Sequence, residues 1–200
     1  MTATAIPAIP SPPQGTARAT ITPEEMLRLH DDGRLYELVD GKLLEKQRGD
    51  LAQLVANLLN NELAAWAEGT GSGLSFVEAT YQCFPHAPAM VRRPDVSFIA
   101  RDRLAAYRWG QGHFTIAPDL AVEVVSPNDE VLELDRKIND YFRAGVRRVW
   151  VINPEQQALR IHRAPGDLSE LIGDAEVSDD QLLPGFRCRL TALFTRPVGQ

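Results

Sequence analysis

Asp95 follows Arg92-Arg93-Pro94 and opens the β-prone run Val96-Ser97-Phe98-Ile99. Glu123 comes 28 residues later, inside the apolar stretch Leu120-Ala121-Val122-Glu123-Val124-Val125. Lys137 lies beyond it, next to Ile138 and one helical turn from both Leu134 and Tyr141. Two carboxylates and an amine, once brought together, are what metal-dependent phosphodiester cleavage requires. Hard carboxylate oxygens hold Mg²⁺ or Mn²⁺, which keeps several waters and accepts phosphate oxygens. The metal lowers the pKa of a bound water and stabilises charge on the leaving oxygen. A lysine beside it orients or deprotonates the attacking water and adds positive charge where negative charge builds.

Each residue also has a plainer reading. An ionised Glu123 sealed among apolar neighbours without a partner costs several kcal/mol, so it either ion-pairs with an arginine or faces a cleft where a cation neutralises it. An aspartate at a strand entrance, like Asp95, is commonly a cap or turn residue. Lys137 equally fits a snorkelling stem or an i, i+4 partner of Glu133. Other chemistries fail outright. Gly69-Thr70-Gly71-Ser72-Gly73 follows a helix and precedes a strand, the reverse of the order a dinucleotide loop needs, and reads as a helix stop plus turn. No phosphate-loop Gly-Lys-Ser/Thr and no Gly-x-Ser-x-Gly elbow occurs. His30, His86, His113 and His162 are scattered, without the spacing of a zinc site.

The elements that must position these groups are legible from pattern. Residues 1–21, with Pro7, Pro10, Pro12 and Pro13 among Ala, Thr and Ser, read as a disordered tail, and residues 22–200 as a single domain. Thr22-Pro23-Glu24-Glu25 is a capping box with proline at the first helical position, opening a short helix expected to end near Asp32-Gly33. Asp40-Gly41 between Leu35–Val39 and Lys42–Glu45 predicts a hairpin. Asp50–Ala67 predicts an amphipathic helix with Leu51, Leu54, Val55, Leu58, Leu59 and Leu63 on its stripe. Strands follow near 74–84 and 95–100. Asp119–Ser126 reads as a strand and Pro127-Asn128-Asp129 as a helix-capping turn. The next helix, Glu130–Arg143, carries Val131, Leu134, Ile138, Tyr141 and Phe142 on one face and stops at Gly145. Arg148–Asn153 returns as a strand, completing a βαβ unit with two parallel strands. Ala158–Arg163 and Glu170–Ile172 read as later antiparallel strands. Asp167–Asp180, with six acidic groups and no basic one, reads as a solvated surface. The class is α/β with a mixed central sheet.

A hydrophobic content of 44% and a charged content of 24% are ordinary globular values, and no apolar run is long enough to span a bilayer. Without a secretory signal, and with only Cys83 and Cys188, the chain reads as cytoplasmic with two buried thiols. The net charge of −6 argues against gripping nucleic acid by bulk electrostatics. Arg92, Arg93, Arg101, Arg103 and Arg108 flank Asp95 in sequence and form a candidate basic rim, or else neutralise nearby acids. Only three residues are lysines, Lys42, Lys46 and Lys137, so a lysine in a telling place carries weight.

Five stretches, Tyr36–Gly41, Arg93–Ile99, Ala117–Asn128, Asp135–Lys137 with Tyr141, and Gly145–Pro154, together resemble the Uma family of bacterial endonucleases, within the PD-(D/E)XK restriction-endonuclease-like superfamily. The resemblance runs from Thr22 to Phe194. It implies a restriction-endonuclease-like mixed β-sheet flanked by helices, a Mg²⁺-dependent activity on DNA, and a homodimer. It makes Asp95 the acid of the Pro-Asp element, Glu123 that of the (D/E)-x-K element, and Glu37 an upstream carboxylate of the metal shell. The superfamily's lysine position is Val125 here; the family draws its lysine from the following helix, where Lys137 fits, leaving the Val124 carbonyl as a further metal ligand. Asp50 stands where relatives start their long helix with a histidine, a second departure. The alternative is a catalytically inactive nucleic-acid-binding or regulatory module of the same fold, for which the acidic balance and Val125 speak.

Overall fold

Thr22 caps the first helix as its spacing requires: its hydroxyl accepts from the Glu25 N–H while the Glu25 carboxylate accepts from the Thr22 N–H. A computed structural model describes residues 20–29, 33–46, 49–110, 112–127 and 129–196. The tail expected over 1–21 therefore lies outside the described residues, save for Thr20 and Ile21. Helix α1 (Pro23–Leu27) is shorter than expected and gives way at Arg28, well before Gly33. Strands β1 (Leu35–Val39) and β2 (Lys42–Lys46) form the hairpin, closed by Asp40 and Gly41 at φ 51° and 70°. Both turn residues are left-handed, the twist that an Asp-Gly hairpin needs.

Helix α2 (Asp50–Thr70) ends on left-handed Gly71, so the glycine-rich stretch is a helix stop and turn. Six strands then build one sheet: β3 (Gly73–Val77), β4 (Val96–Ala100), β5 (Leu120–Val124), β6 (Arg148–Asn153), β7 (Ala158–Ala164) and β8 (Asp167–Ile172), adjacent in that order. Only β5 and β6 run parallel, joined across α4 (Val131–Ala144); the remaining neighbours are antiparallel. Between β4 and β5 lies a short helix, α3 (Arg101–Ala105). A two-stranded sheet of β9 (Glu176–Asp179) and β10 (Leu183–Arg189) and a 3₁₀ helix, Leu190–Phe194, close the described chain.

Alternation along β5 explains why the sheet is covered on both faces. Leu120, Val122 and Val124 pack with Val55, Leu59 and Leu63 of α2, whereas Ala121 packs with Ile138 and Tyr141 of α4. Three expectations shift. The buried stripe of α2 runs through Ala52, Val55, Ala56, Leu59, Leu63 and Ala67; Leu51, Leu54 and Leu58 only flank it. Val131 is 73% exposed, and the N-cap Glu130 makes no side-chain capping bond, while Asp129 accepts from the Ser126 N–H. The acidic segment 167–180 is more than a solvated face. It forms β8 and β9, buries Val177, and pairs Asp179 with Arg148 and Asp180 with Arg187. Cys83 and Cys188 are free thiols. Among the described residues no helix is long and apolar enough to cross a membrane.

Candidate active site

Hairpin register decides which charges enter the site. The pairs Glu37↔Leu44 and Leu35↔Lys46 place Glu37 and Lys46 on one face. Tyr36, Leu38 and Leu43 lie on the other and pack with Met26 and Val91. The hairpin docks through mutual backbone bonds of Leu38 and Val91, each 2.8 Å, so Arg92 through Asp95 run beside Glu37 and Lys46.

In the main sheet, the antiparallel pair Val96↔Val122 sets Asp95 opposite Glu123, both on the α4 side. The Val124 N–H donates to Asp95 Oδ2 at 2.6 Å. Helix α4 presents Glu133, Lys137, Asp140 and Tyr141 at i, i+4, i+7 and i+8, a single stripe facing these acids. Glu37, Lys46, Glu78, Asp95, Glu123 and Lys137 all line one cleft of about 410 Å³.

The cleft is an ion-pair network. Lys137 Nζ lies 3.2 Å from Glu37 Oε1 and 3.5 Å from Glu123 Oε2. Tyr141 donates its hydroxyl proton to Glu123 Oε1 at 2.6 Å. Lys46 Nζ lies 2.7 Å from Asp95 Oδ1 and 3.4 Å from Glu78 Oε2. Behind them Arg92, only 1% exposed, reaches Glu37 at 2.9 Å, Glu133 at 2.6 Å and Asp140 at 2.7 Å.

Charge and burial set the protonation of each group. Burial pushes the Glu37 carboxyl up, but Lys137, Arg92 and Lys46 outweigh it and hold the group below the usual range. Burial also pushes Glu123 up, and here Lys137 and Lys46 do not fully offset it. Burial works against the charge of Lys46 and of Lys137, yet the acids around each raise both above an ordinary lysine. Burial raises Tyr141, helped by Glu123 and Glu37, so its phenol stays protonated.

The arginine rim is corrected by the structure. Arg92 and Arg93 are committed inward, Arg93 donating to the Tyr36 and Glu78 carbonyls. Arg101 and Arg103 lie past the far end of β4, roughly 20 Å from Asp95 at about 3.3 Å per residue, and Arg103 pairs with Asp119. Of the two readings weighed for these arginines, neutralisation describes Arg92 and Arg103. Asp50 sits in the first turn of α2 and accepts from the Leu51 N–H.

Among the described residues no three His, Cys, Asp or Glu side chains are grouped so as to hold a metal by themselves. Mg²⁺ needs only one or two carboxylates, the rest of its shell being water and substrate oxygen. Asp95, at the entrance to β4, and Glu123 on the adjacent β5, hard oxygen donors lining one cleft, fit that requirement. Glu37 stands behind them, its oxygens engaged by Arg92, the Arg93 N–H and Lys137.

A model of the Uma2 family, described as "Putative restriction endonuclease", matches residues 23–192. The chain belongs to the Uma2 family. Its fold is also that of a crystal structure from Anabaena variabilis, described as a putative nuclease belonging to DUF820. The two superpose with a TM-score of 0.73 at 21% identity, over 87% of this chain and 97% of that one. The restriction-endonuclease-like class read from the sequence is therefore the fold observed. No curated protein matches the chain.

Sequence reasoning about this Uma2 protein missed Lys46, Arg92 as an inward hub, and Tyr141 as a partner of Glu123. For Lys46 the signal was present. A two-residue turn at Asp40-Gly41 already forces 37↔44 and 35↔46, placing Lys46 on the face of Glu37. For Tyr141, the i+4 spacing from Lys137 was available, but a tyrosine on an apolar stripe reads as core.

Proposed function

We propose that this protein is a divalent-metal-dependent endonuclease that hydrolyses phosphodiester bonds of DNA. One observation carries the reading: Glu37 and Glu123 from two strands, Asp95 from the entrance to β4 and Lys137 from the crossover helix line a single open cleft. Asp95 and Glu123 would hold Mg²⁺ or Mn²⁺, with the Val124 carbonyl as a further oxygen donor. The bound ion would supply a Lewis acid and a water of lowered pKa.

The chain's own groups do the rest. Lys137, with two acidic partners at 3.2 and 3.5 Å, directs its amine toward the cleft and adds positive charge beside the phosphate. Glu37, expected among the metal ligands, in this reading anchors that amine. Tyr141 fixes the Glu123 carboxylate by one oxygen and leaves Oε2 toward Lys137. Cutting both strands calls for two such sites, which a homodimer would provide.

The test is nicking of plasmid DNA with Mg²⁺ or Mn²⁺, alongside Asp95→Asn and Lys137→Ala. Activity that needs metal and is lost in both folded variants is the expected result. Equal, metal-independent activity in all three overturns the proposal. No cleavage, with no metal-dependent rise in melting temperature, makes the protein the binding module.

A further inference from the structure

We propose that Lys46 is a built-in competitor for the divalent cation at Asp95, so that metal enters this site only as the Lys46 ammonium withdraws. The inference deepens the metal-dependent reading above and rests on it.

An ammonium has three N–H donors, and Lys46 has an acceptor for each: Asp95 Oδ1 at 2.7 Å, the Arg93 carbonyl at 2.7 Å and Glu78 Oε2 at 3.4 Å. The side chain is 10% exposed, so this is an enclosed and saturated cation. Lys137 is held differently. Its contacts, at 3.2 and 3.5 Å, are longer than the roughly 2.7–2.9 Å of a tight charge-assisted bond. The two amines thus have unequal tasks, one locked onto an acid and one loosely placed over the cleft.

Each Asp95 oxygen already has a partner, which leaves one lone pair on each for a metal. Oδ1 faces Lys46, and Oδ2 takes the Val124 N–H at 2.6 Å. A divalent ion bound to the same carboxylate meets the ammonium within a few ångströms, where like-charge repulsion is of the same order as the attraction holding the ion. The backbone supports the Lys46 position. Glu78 adopts φ 54°, a conformation uncommon for residues other than glycine. Its N–H donates to the Asp95 carbonyl at 3.1 Å while its carboxylate meets Lys46. The turn after β3 is therefore shaped to hold this amine against this acid.

The experiment uses Mn²⁺ alone and the full chain. Lys46→Met and Lys46→Gln should bind Mn²⁺ tighter than wild type by roughly tenfold or more, read by calorimetry and by the metal-dependent rise in melting temperature. In the wild type, saturating Mn²⁺ should raise acylation of Lys46 by a small amine-reactive ester. Exposed Lys42 should be unchanged, and with three lysines in the chain the peptide map is unambiguous. Equal or weaker Mn²⁺ affinity in the variants, or Lys46 acylation unmoved by Mn²⁺, overturns the inference and leaves the metal site standing. Absence of Mn²⁺ binding in wild type and both variants overturns the inference and the metal-dependent reading together. The labelling readout needs no variant, so a substitution that fails to fold does not protect the proposal.

Discussion

Arg92→Met removes the guanidinium that three acids share, and the structure sets the size of the loss. Arg92 is 1% exposed, and its partner Glu37 is 3% exposed. Breaking a buried pair by deleting one partner costs about 3–5 kcal/mol, because the other charge is left uncompensated. The low end applies here. Glu37 keeps Lys137 at 3.2 Å and the Arg93 N–H at 3.0 Å, and the Glu133 side chain, at 29% exposure, is partly solvated already. About 3 kcal/mol corresponds to a melting temperature lower by roughly 6–12 °C in a domain of this size. The pH dependence follows from Glu37, whose carboxyl is held below its ordinary value of 4.5, against the upward push of burial, by Lys137, Arg92 and Lys46. Such a group contributes stability that is full above 4.5 and is lost as pH falls through the depressed value. Removing one of its cations therefore hurts most at neutral pH, and the deficit shrinks on acidification. Thermal denaturation followed by circular dichroism across that range measures both. A variant within about 1 kcal/mol of wild type at pH 7, or a deficit independent of pH, refutes the hub. The double variant with Glu37→Gln should recover part of the loss, since it removes the stranded charge.

Glu123 has the opposite sign. Burial raises its carboxyl, so the stability it contributes is full below the ordinary 4.5 and is lost as pH rises toward the elevated value. Glu123→Gln should therefore leave the metal-free protein at pH 7 as stable as wild type or up to about 2 kcal/mol more stable, with Tyr141 still donating to the amide oxygen. DNA cleavage should be lost, and a large fall in melting temperature would contradict the assignment. Burial likewise pushes the Cys83 and Cys188 thiols up to about 12. Both should react slowly with thiol reagents at neutral pH. The stability they contribute should be full below the ordinary 9.0 and decline as pH rises toward 12, a decline that Cys188→Ala flattens in urea titrations at successive alkaline pH values.

Local physics made much of this fold readable. The capping box at Thr22, the Asp-Gly turn, the stop at Gly71 and the left-handed Gly145 each fix the chain within a few residues, and each stands where the sequence placed it. What escaped depends on contacts between distant elements. Arg92 is one of five arginines near Asp95 in sequence, and nothing local says that it turns inward. Its acids arrive from β1 and from two turns of α4. The β9–β10 pair was missed because Glu176–Asp179 is short and acidic. Its register is held by Arg148 on the main sheet, through Asp179 at 2.6 Å, and by Val177 buried beneath it. The candidate site lies between these cases. Asp95, Glu123 and Lys137 could be named singly and Glu37 through the family resemblance, but Lys46 required the hairpin register to be carried through to its far end.

The charge balance of the cleft bears on how such a site would meet DNA. Among the described residues, eight acidic ones line it against three basic ones, Lys46, Arg136 and Lys137. Two of the five arginines that could have offset this are turned inward, and Arg101 and Arg103 lie past the opposite end of β4. In the proposed reading, the described lining would repel a polyanion at the point where its phosphate would settle. Each internal ammonium moderates the acids without reversing them, since both lysines are themselves held by carboxylates. In the proposed reading the divalent ion therefore does more than activate water. Held by Asp95 and Glu123, it would supply the positive charge that a phosphate beside them would need. Lys46, 2.7 Å from Asp95, would then set the threshold: its withdrawal would couple the arrival of the metal to the opening of the acid proposed to bind it.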